Sequence, residues 1–247
     1  MQKHYWNYVM HIAIPSKGRA TKQKSAKLIP SACVYIPELE QEAYTKTGVK
    51  NLVSVPNNIK GITQTRNWIL DNVEDRHVVF IDDDVKVAGY VKLNQCDGKH
   101  VKLTEEQWLA EWAKLFDITE DLQLRIFGVA THSSRKALYP YKPFIFHTYV
   151  TASCMGIIND GRTRFDETFL VKEDYELNLR CIKEDGGVLG ARYLYWENEH
   201  WTQEGGCKDY RTQQMEKHAI NNLIQMYPGL IRRVTKGGSQ YSIELNF

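Results

Sequence analysis

Three consecutive aspartates, Asp82, Asp83 and Asp84, follow the apolar run from Val78 to Ile81. A buried strand that stops on carboxylates delivers them to its carboxyl end, where open α/β sheets bind ligands. Anionic oxygens crowded at one point repel each other, and a hard divalent cation such as Mg²⁺ or Mn²⁺ relieves that repulsion. A solvated acidic turn is the plainer alternative. A second acidic pair, Glu173 and Asp174, opens a segment with helical spacing. The helix dipole favours carboxylates there, so charge preference explains the pair as readily as a general base facing an acceptor hydroxyl. His200 lies between the tryptophans of WENEHW. It could complete a metal shell, although a lone histidine is more often structural.

Basic and small residues stand upstream of these acids. The apolar run His11 to Pro15 ends on Ser16, Lys17, Gly18 and Arg19. Ile14 and Pro15 offer a surface for a base or ribose, and Arg19 a charge for phosphate. Neither the phosphate loop G-x-x-x-x-G-K-[ST] nor the fingerprint G-x-G-x-x-G is present, so on these residues alone a bare strand-to-helix turn is the favoured reading. Arg66, within GITQTRNWIL, is expected to reach a diphosphate or ribose as a fixed fork of donors. An ion pair with another element would use the same group.

The elements that would position these residues alternate. Strands are expected at His11–Pro15, Ala32–Ile36, Asn51–Val55 and His77–Ile81, and helices at Glu38–Thr47 and Gly61–Val73. That order predicts βαβ units and a mostly parallel sheet. Thr104 with Gln107 signals a helix start. Strand character returns at Leu124–Ala130 and Phe144–Ile158, the latter long enough to break in two. Helices are expected at Glu173–Glu184 and Tyr210–Met226, and Gly237-Gly238 divides a terminal hairpin.

Composition sets the frame. At 247 residues, 43% hydrophobic and 25% charged, the chain suits one globular α/β domain. The net charge of +2 is nearly neutral but unevenly spread: no acid precedes Glu38, while Lys3, Lys17, Arg19, Lys22, Lys24 and Lys27 are basic. Arg232, Arg233 and Lys236 form a second cluster. Such patches can face a polyanion or simply solvate a helix face. Five widely spaced cysteines, with no C-x-x-C pair, favour a reducing cytoplasm over a disulfide framework. The N-terminus lacks an apolar signal region, and no stretch approaches a membrane span.

In matching order, HIAIPSKGR, GITQTRN, FIDDDV, the Phe165-Asp166-Glu167 to Glu173-Asp174 segment and His200 resemble a GT-A glycosyltransferase. The resemblance implies an α/β fold with a nucleotide-binding, mostly parallel sheet flanked by helices and a smaller acceptor-binding C-terminal part. Residues 1–90 would hold the nucleotide sugar and residues 91–247 the acceptor. Asp82 and Asp84 resemble the DxD pair, so Asp82, Asp84 and His200 would bind Mn²⁺ or Mg²⁺. Ile14, Pro15, Ser16, Arg19, Arg66, Asp82 and Asp83 would bind the donor, a UDP-sugar favoured. Asp174 resembles the base of the family's acidic helix, with Glu173 as second candidate.

IPSKGR, KEDYEL, Gly205-Gly206 and LIRRV are also similar to phage TET-associated glycosyltransferases, which decorate 5-hydroxymethylpyrimidines in DNA. This narrower resemblance implies a duplex DNA acceptor carrying hydroxymethylcytosine, no membrane, and the infected host cytoplasm. Aromatic residues between Tyr193 and Trp201 would then stack an extruded base. A glycan or protein acceptor is the alternative within the fold. A metal-dependent phosphatase is disfavoured because Lys86 breaks the pattern D-x-D-x-[TV], and a non-catalytic DNA-binding module because the charge is nearly neutral.

Overall fold

The computed structural model describes residues 9–91, 100–131, 142–199, 211–236 and 239–246. Its first half is a run of strands and helices: β1 (His11–Pro15), α1 (Lys24–Leu28), β2 (Cys33–Pro37), α2 (Gln41–Thr45), β3 (Leu52–Val55), α3 (Gly61–Asn72) and β4 (His77–Ile81). These strands lie parallel in the order β3-β2-β1-β4. The second half comprises β5 (Val85–Val91), β6 (His100–Val101), α4 (Glu105–Asp121), β7 (Ile126–Ala130), β8 (Phe144–Ile145) and β9 (Cys154–Ile158). It continues through α5 (Glu173–Asp185), β10 (Leu189–Asn198), α6 (Gln213–Met226), β11 (Ile231–Lys236) and β12 (Ser239–Leu245).

Beyond β4 the same sheet runs on as β9-β7-β10-β5-β6, with β8 also on β10. Strands β1 to β4, β6, β7 and β10 point one way; β5, β8 and β9 point the other. Besides the two-residue β6, two strands were not evident from sequence. β5 begins at once after the aspartates and carries Lys86 and Gly89, while β10 carries Gly190 and Arg192. Their polar residues and glycines hide the strand pattern.

β4 is buried on both faces, as a central parallel strand must be. Val79 and Ile81 enter one core with Ile12, Ile14, Trp108, Trp112 and Trp196, beneath α4. Val78 and Phe80 enter the other with Ile69, Phe165, Leu177 and Cys181, beneath α3 and α5. Sheet and flanking helices thus form three layers. A third cluster joins α6 and the β11–β12 hairpin to Phe169, Val171 and Leu179. α4 starts where the Thr104 side chain accepts from the Gln107 amide and the Gln107 side chain accepts from the Thr104 amide. Among the described residues no helix is long and apolar enough to cross a membrane.

Close packing leaves β9 no room at Gly156. A Cβ there would stand 2.1 Å from the ring of Phe127, which is fully buried on the neighbouring strand. Gly156→Ala should therefore cost roughly 1–3 kcal/mol, as overpacked cores do, and lower the thermal midpoint by several degrees. An unchanged midpoint in calorimetry would show that β7 and β9 yield freely at this contact.

Candidate active site

The aspartate turn is tied down from several directions. The amide of Asp82 donates to the carbonyl of Ser153 (3.1 Å), continuing the β4–β9 ladder by one residue. The amides of Lys24 and Ser25 donate to the Asp83 carbonyl (3.0 and 3.2 Å), and the Ser25 hydroxyl donates to the Asp82 carbonyl. On the far side, the Glu199 amide donates to the Asp84 carbonyl (3.0 Å), so the end of β10 closes over the turn.

With the backbone fixed, the three carboxylates diverge. Asp83 is buried, accepting from Ser16 Oγ (2.5 Å) and Arg19 (2.8 Å). Ser16 also meets Tyr44 Oη at 2.7 Å and accepts from Gln23 Nε2 at 2.7 Å. Asp83, Ser16 and Arg19 therefore form an internal network. Asp84 is nearly buried and takes Arg19 at 3.2 Å. Asp82 is the open member, with 36% of its side chain exposed. It accepts from Asn198 Nδ2 (3.0 Å) and faces Arg66 at 3.6 Å. Although an edge of it stays exposed, the carboxyl sits within the turn, and desolvation there, opposed by Arg66 and reinforced by Asp84 and Asp83, pushes it up to about 7.

Arg66 joins this turn to the second acidic pair. Its other guanidinium nitrogen donates to Glu173 Oε1 at 2.7 Å, and both side chains are largely buried. Burial and the adjacent Asp174 push the Glu173 carboxyl up, while Arg66 pulls it down. Asp174 points elsewhere. One of its oxygens accepts from Tyr149 Oη and the other from the Tyr175 amide (2.9 Å). The two tyrosine rings stack at 4.0 Å. Lys172, just before α5, takes the left-handed backbone conformation, uncommon for a residue with a side chain. It is held by Glu216 at 3.3 Å.

The expected residues thus divide. Asp82, Asp83, Asp84, Ser16, Arg19, Arg66 and Glu173 form one connected set, with Asp174 next to Glu173. Ile14 is a correction: it has no exposed surface and packs in the core, so it offers nothing to a base, whereas Pro15 at the strand end is half-buried. The aromatic residues after Tyr193 are a second correction. Tyr195 and Trp196 are fully buried, Trp196 against Trp108 and Trp112, because β10 is a central strand. His200 and Trp201 lie outside the described residues. Sequence reading missed Tyr44, Tyr149, Tyr175 and Asn198, which come from distant segments and carry no local motif.

The donor set of the turn suits a hard cation. Mg²⁺-type sites use one or two carboxylates and complete their shell with water and substrate phosphates. Asp82 offers a part-exposed carboxylate whose anionic form is disfavoured first by desolvation and then by Asp84 and Asp83, against the pull of Arg66, a condition that a cation reverses. Among the described residues no group of three or more His, Cys, Asp or Glu side chains that could hold a metal ion is found.

A family model described as TET-Associated Glycosyltransferase matches residues 10–206. No curated protein sequence matches the chain. The fold is similar to a mannosyltransferase from Pyrobaculum calidifontis in complex with GDP-Man and Mn²⁺, at TM-score 0.57 and 9% identity, over 88% of this chain and 63% of that one. It is similar also to glucosyl-3-phosphoglycerate synthase from Mycobacterium tuberculosis in complex with Mn²⁺ and UDP-Glc, at TM-score 0.54 and 12% identity, over 96% and 86%. S. aureus TarS 1-349 in complex with UDP-GlcNAc matches at TM-score 0.49 and 12% identity, over 87% and 66%. The chain spans about two thirds of the length of TarS 1-349 and of the mannosyltransferase. The fold is that of the GT-A glycosyltransferases.

The raised carboxyl of Asp82 has a consequence for stability. An unfolded aspartate titrates near 4, the folded one at about 7. Between these values the folded chain holds a proton that the unfolded chain has released. The group's contribution is complete below about pH 4 and is lost as pH rises to about 7. Asp82→Asn should therefore shrink the difference in thermal midpoint between pH 5 and pH 8, measured without divalent cations. An equal difference in both proteins would show that Asp82 titrates normally.

Proposed function

The chain belongs to the TET-associated glycosyltransferase family, and we propose that it moves a sugar from a nucleotide-sugar donor, a UDP-sugar, to the hydroxymethyl group of 5-hydroxymethylcytosine in DNA, with Mn²⁺ or Mg²⁺. The observation that carries this reading is the connected acidic site at the carboxyl end of β4. One end is an open carboxylate suited to a cation and diphosphate; the other is a carboxylate on α5 gripped by two tyrosines. Residues 1–90 would serve the donor and residues 91–247 the acceptor.

Asp82 and Asp84 would hold the cation, which when bound would neutralise the leaving diphosphate. Pro15 at the end of β1 would contact the nucleoside. Glu173 is engaged by Arg66 at 2.7 Å, which leaves Asp174 as the better general base. The acceptor hydroxyl would take the place of the Tyr149 hydroxyl on Asp174. Asp174 then removes the hydroxyl proton as the oxygen bonds to the anomeric carbon, and the bond from that carbon to the phosphate oxygen breaks with its electron pair leaving on the diphosphate. Attack opposite the leaving group inverts the anomeric centre. Charge for the acceptor's phosphates would be supplied by the basic N-terminal segment and by Arg232 and Arg233. Arg232 meets Glu244 at 3.3 Å, and Arg233 donates to Asn221. Both arginines remain exposed on the hairpin, accessible to phosphate.

Mass spectrometry should detect a hexose or pentose on hydroxymethylated DNA after incubation with UDP-sugars and Mn²⁺, and none on unmodified DNA. Asp174→Asn should keep donor affinity by calorimetry and lose roughly 10²–10⁴ in turnover. Transfer to a glycan or protein hydroxyl, with both DNAs inert, would replace the acceptor; near-normal turnover of the variant would remove Asp174 as the base.

A further inference from the structure

A cavity of about 280 Å³ opens between the terminal hairpin and the start of α5, and its walls include His147, Thr148, Tyr149, Tyr175, Ile243 and Glu244. Two of these hold Asp174, Tyr149 through its hydroxyl and Tyr175 through its backbone amide. Whatever occupies the cavity therefore touches the holders of the proposed base. The volume lies at the small end of ligand sites, which run about 300–1,000 Å³. A single heterocycle fits within that volume.

The walls have the chemistry of a base pocket. The tyrosine pair, stacked at 4.0 Å with 17° between planes, gives an aromatic wall. The His147 ring, the Thr148 hydroxyl and the Glu244 carboxylate give hydrogen-bonding groups. His147 is fixed by a contact to the Gly186 carbonyl at 2.9 Å. Arg232 reaches Glu244 at 3.3 Å, so a guanidinium stands beside one wall, where a phosphate flanking the base would lie.

Enzymes that modify a base within a duplex must extrude it into a fitted pocket. Resting on the function proposed above, the geometry points to this cavity as the site that receives the extruded 5-hydroxymethylpyrimidine, its ring along the Tyr149–Tyr175 wall and its hydroxymethyl group directed to Asp174. The hairpin formed by β11 and β12 is then part of the acceptor site rather than a mere terminal cover. The buried aromatics of β10 have no place in it.

Filling the cavity tests the assignment. Thr148→Trp should raise KM for hydroxymethylated DNA by about tenfold or more, the order of a lost base–aromatic contact. The dissociation constant for the UDP-sugar, by calorimetry, should stay unchanged. His147→Ala, at an exposed position that tolerates truncation, should raise the same KM several-fold and decides the matter if the tryptophan variant lacks a cooperative melting transition. Transfer by the unsubstituted protein with KM unaltered in the folded variants overturns the cavity and leaves the function standing. No transfer to hydroxymethylated DNA by the unsubstituted protein removes the function, and the cavity assignment with it.

Discussion

Arg66 stands between carboxylates that would otherwise repel across the floor of the site. One nitrogen meets Glu173 at 2.7 Å and another faces Asp82 at 3.6 Å, with only 5% of the arginine side chain exposed. The surrounding helix is built to keep it there. Asn67 donates to the Phe165 carbonyl and accepts from the Phe165 amide, and Thr63 donates to the Phe169 carbonyl. The Phe165 ring lies 5.4 Å from the guanidinium carbon. One face of α3 thereby fixes the loop that leads into α5. The aspartate turn and the Glu173–Asp174 pair, about ninety residues apart in sequence, share one site because this arginine neutralises both.

The three aspartates divide the remaining work. Asp83 organises the loop after β1 through Ser16 and Arg19, Asp84 shares that arginine, and Asp82 keeps its side chain partly exposed. A run of like charges becomes tolerable when arginines stand against it, Arg19 against Asp83 and Asp84 and Arg66 against Asp82. The same division recurs on α5, where Glu173 faces inward to Arg66 and Asp174 outward to the tyrosines. Adjacent acids thus separate onto different partners.

Much of this was legible in the residues. β1 and β4 have the bounds that their apolar runs imply, α3 starts at Gly61, and Thr104 caps α4 with Gln107 as partner. These signals are local, set by alternation, burial and capping within a few residues. The strands β5 and β10 were not legible, because burial in a wide sheet lets Gly89, Gly190 and Arg192 sit where an isolated strand would favour branched residues. Arg66 was legible as a residue of α3 able to pair with another element, but not as a bridge between two acidic segments, since its partners follow β4 and open α5. Ile14 misled for a related reason: its position at a strand end suggested a ligand surface, while the α/β packing buries it. Tyr149 and Tyr175 could not have been paired from sequence, as only the tertiary fold brings them into a stack.

A double-mutant cycle on Arg66 and Glu173, followed by denaturant unfolding at neutral pH, probes the bridge most directly. Arg66→Met alone should cost about 3–5 kcal/mol, since it leaves a buried carboxylate without its counter-charge. Adding Glu173→Gln should recover part of that loss, giving a coupling of roughly 0.5–3 kcal/mol between the two sites. Strictly additive costs, or an Arg66→Met protein as stable as the unsubstituted chain, would contradict the bridge as the element that holds the site together.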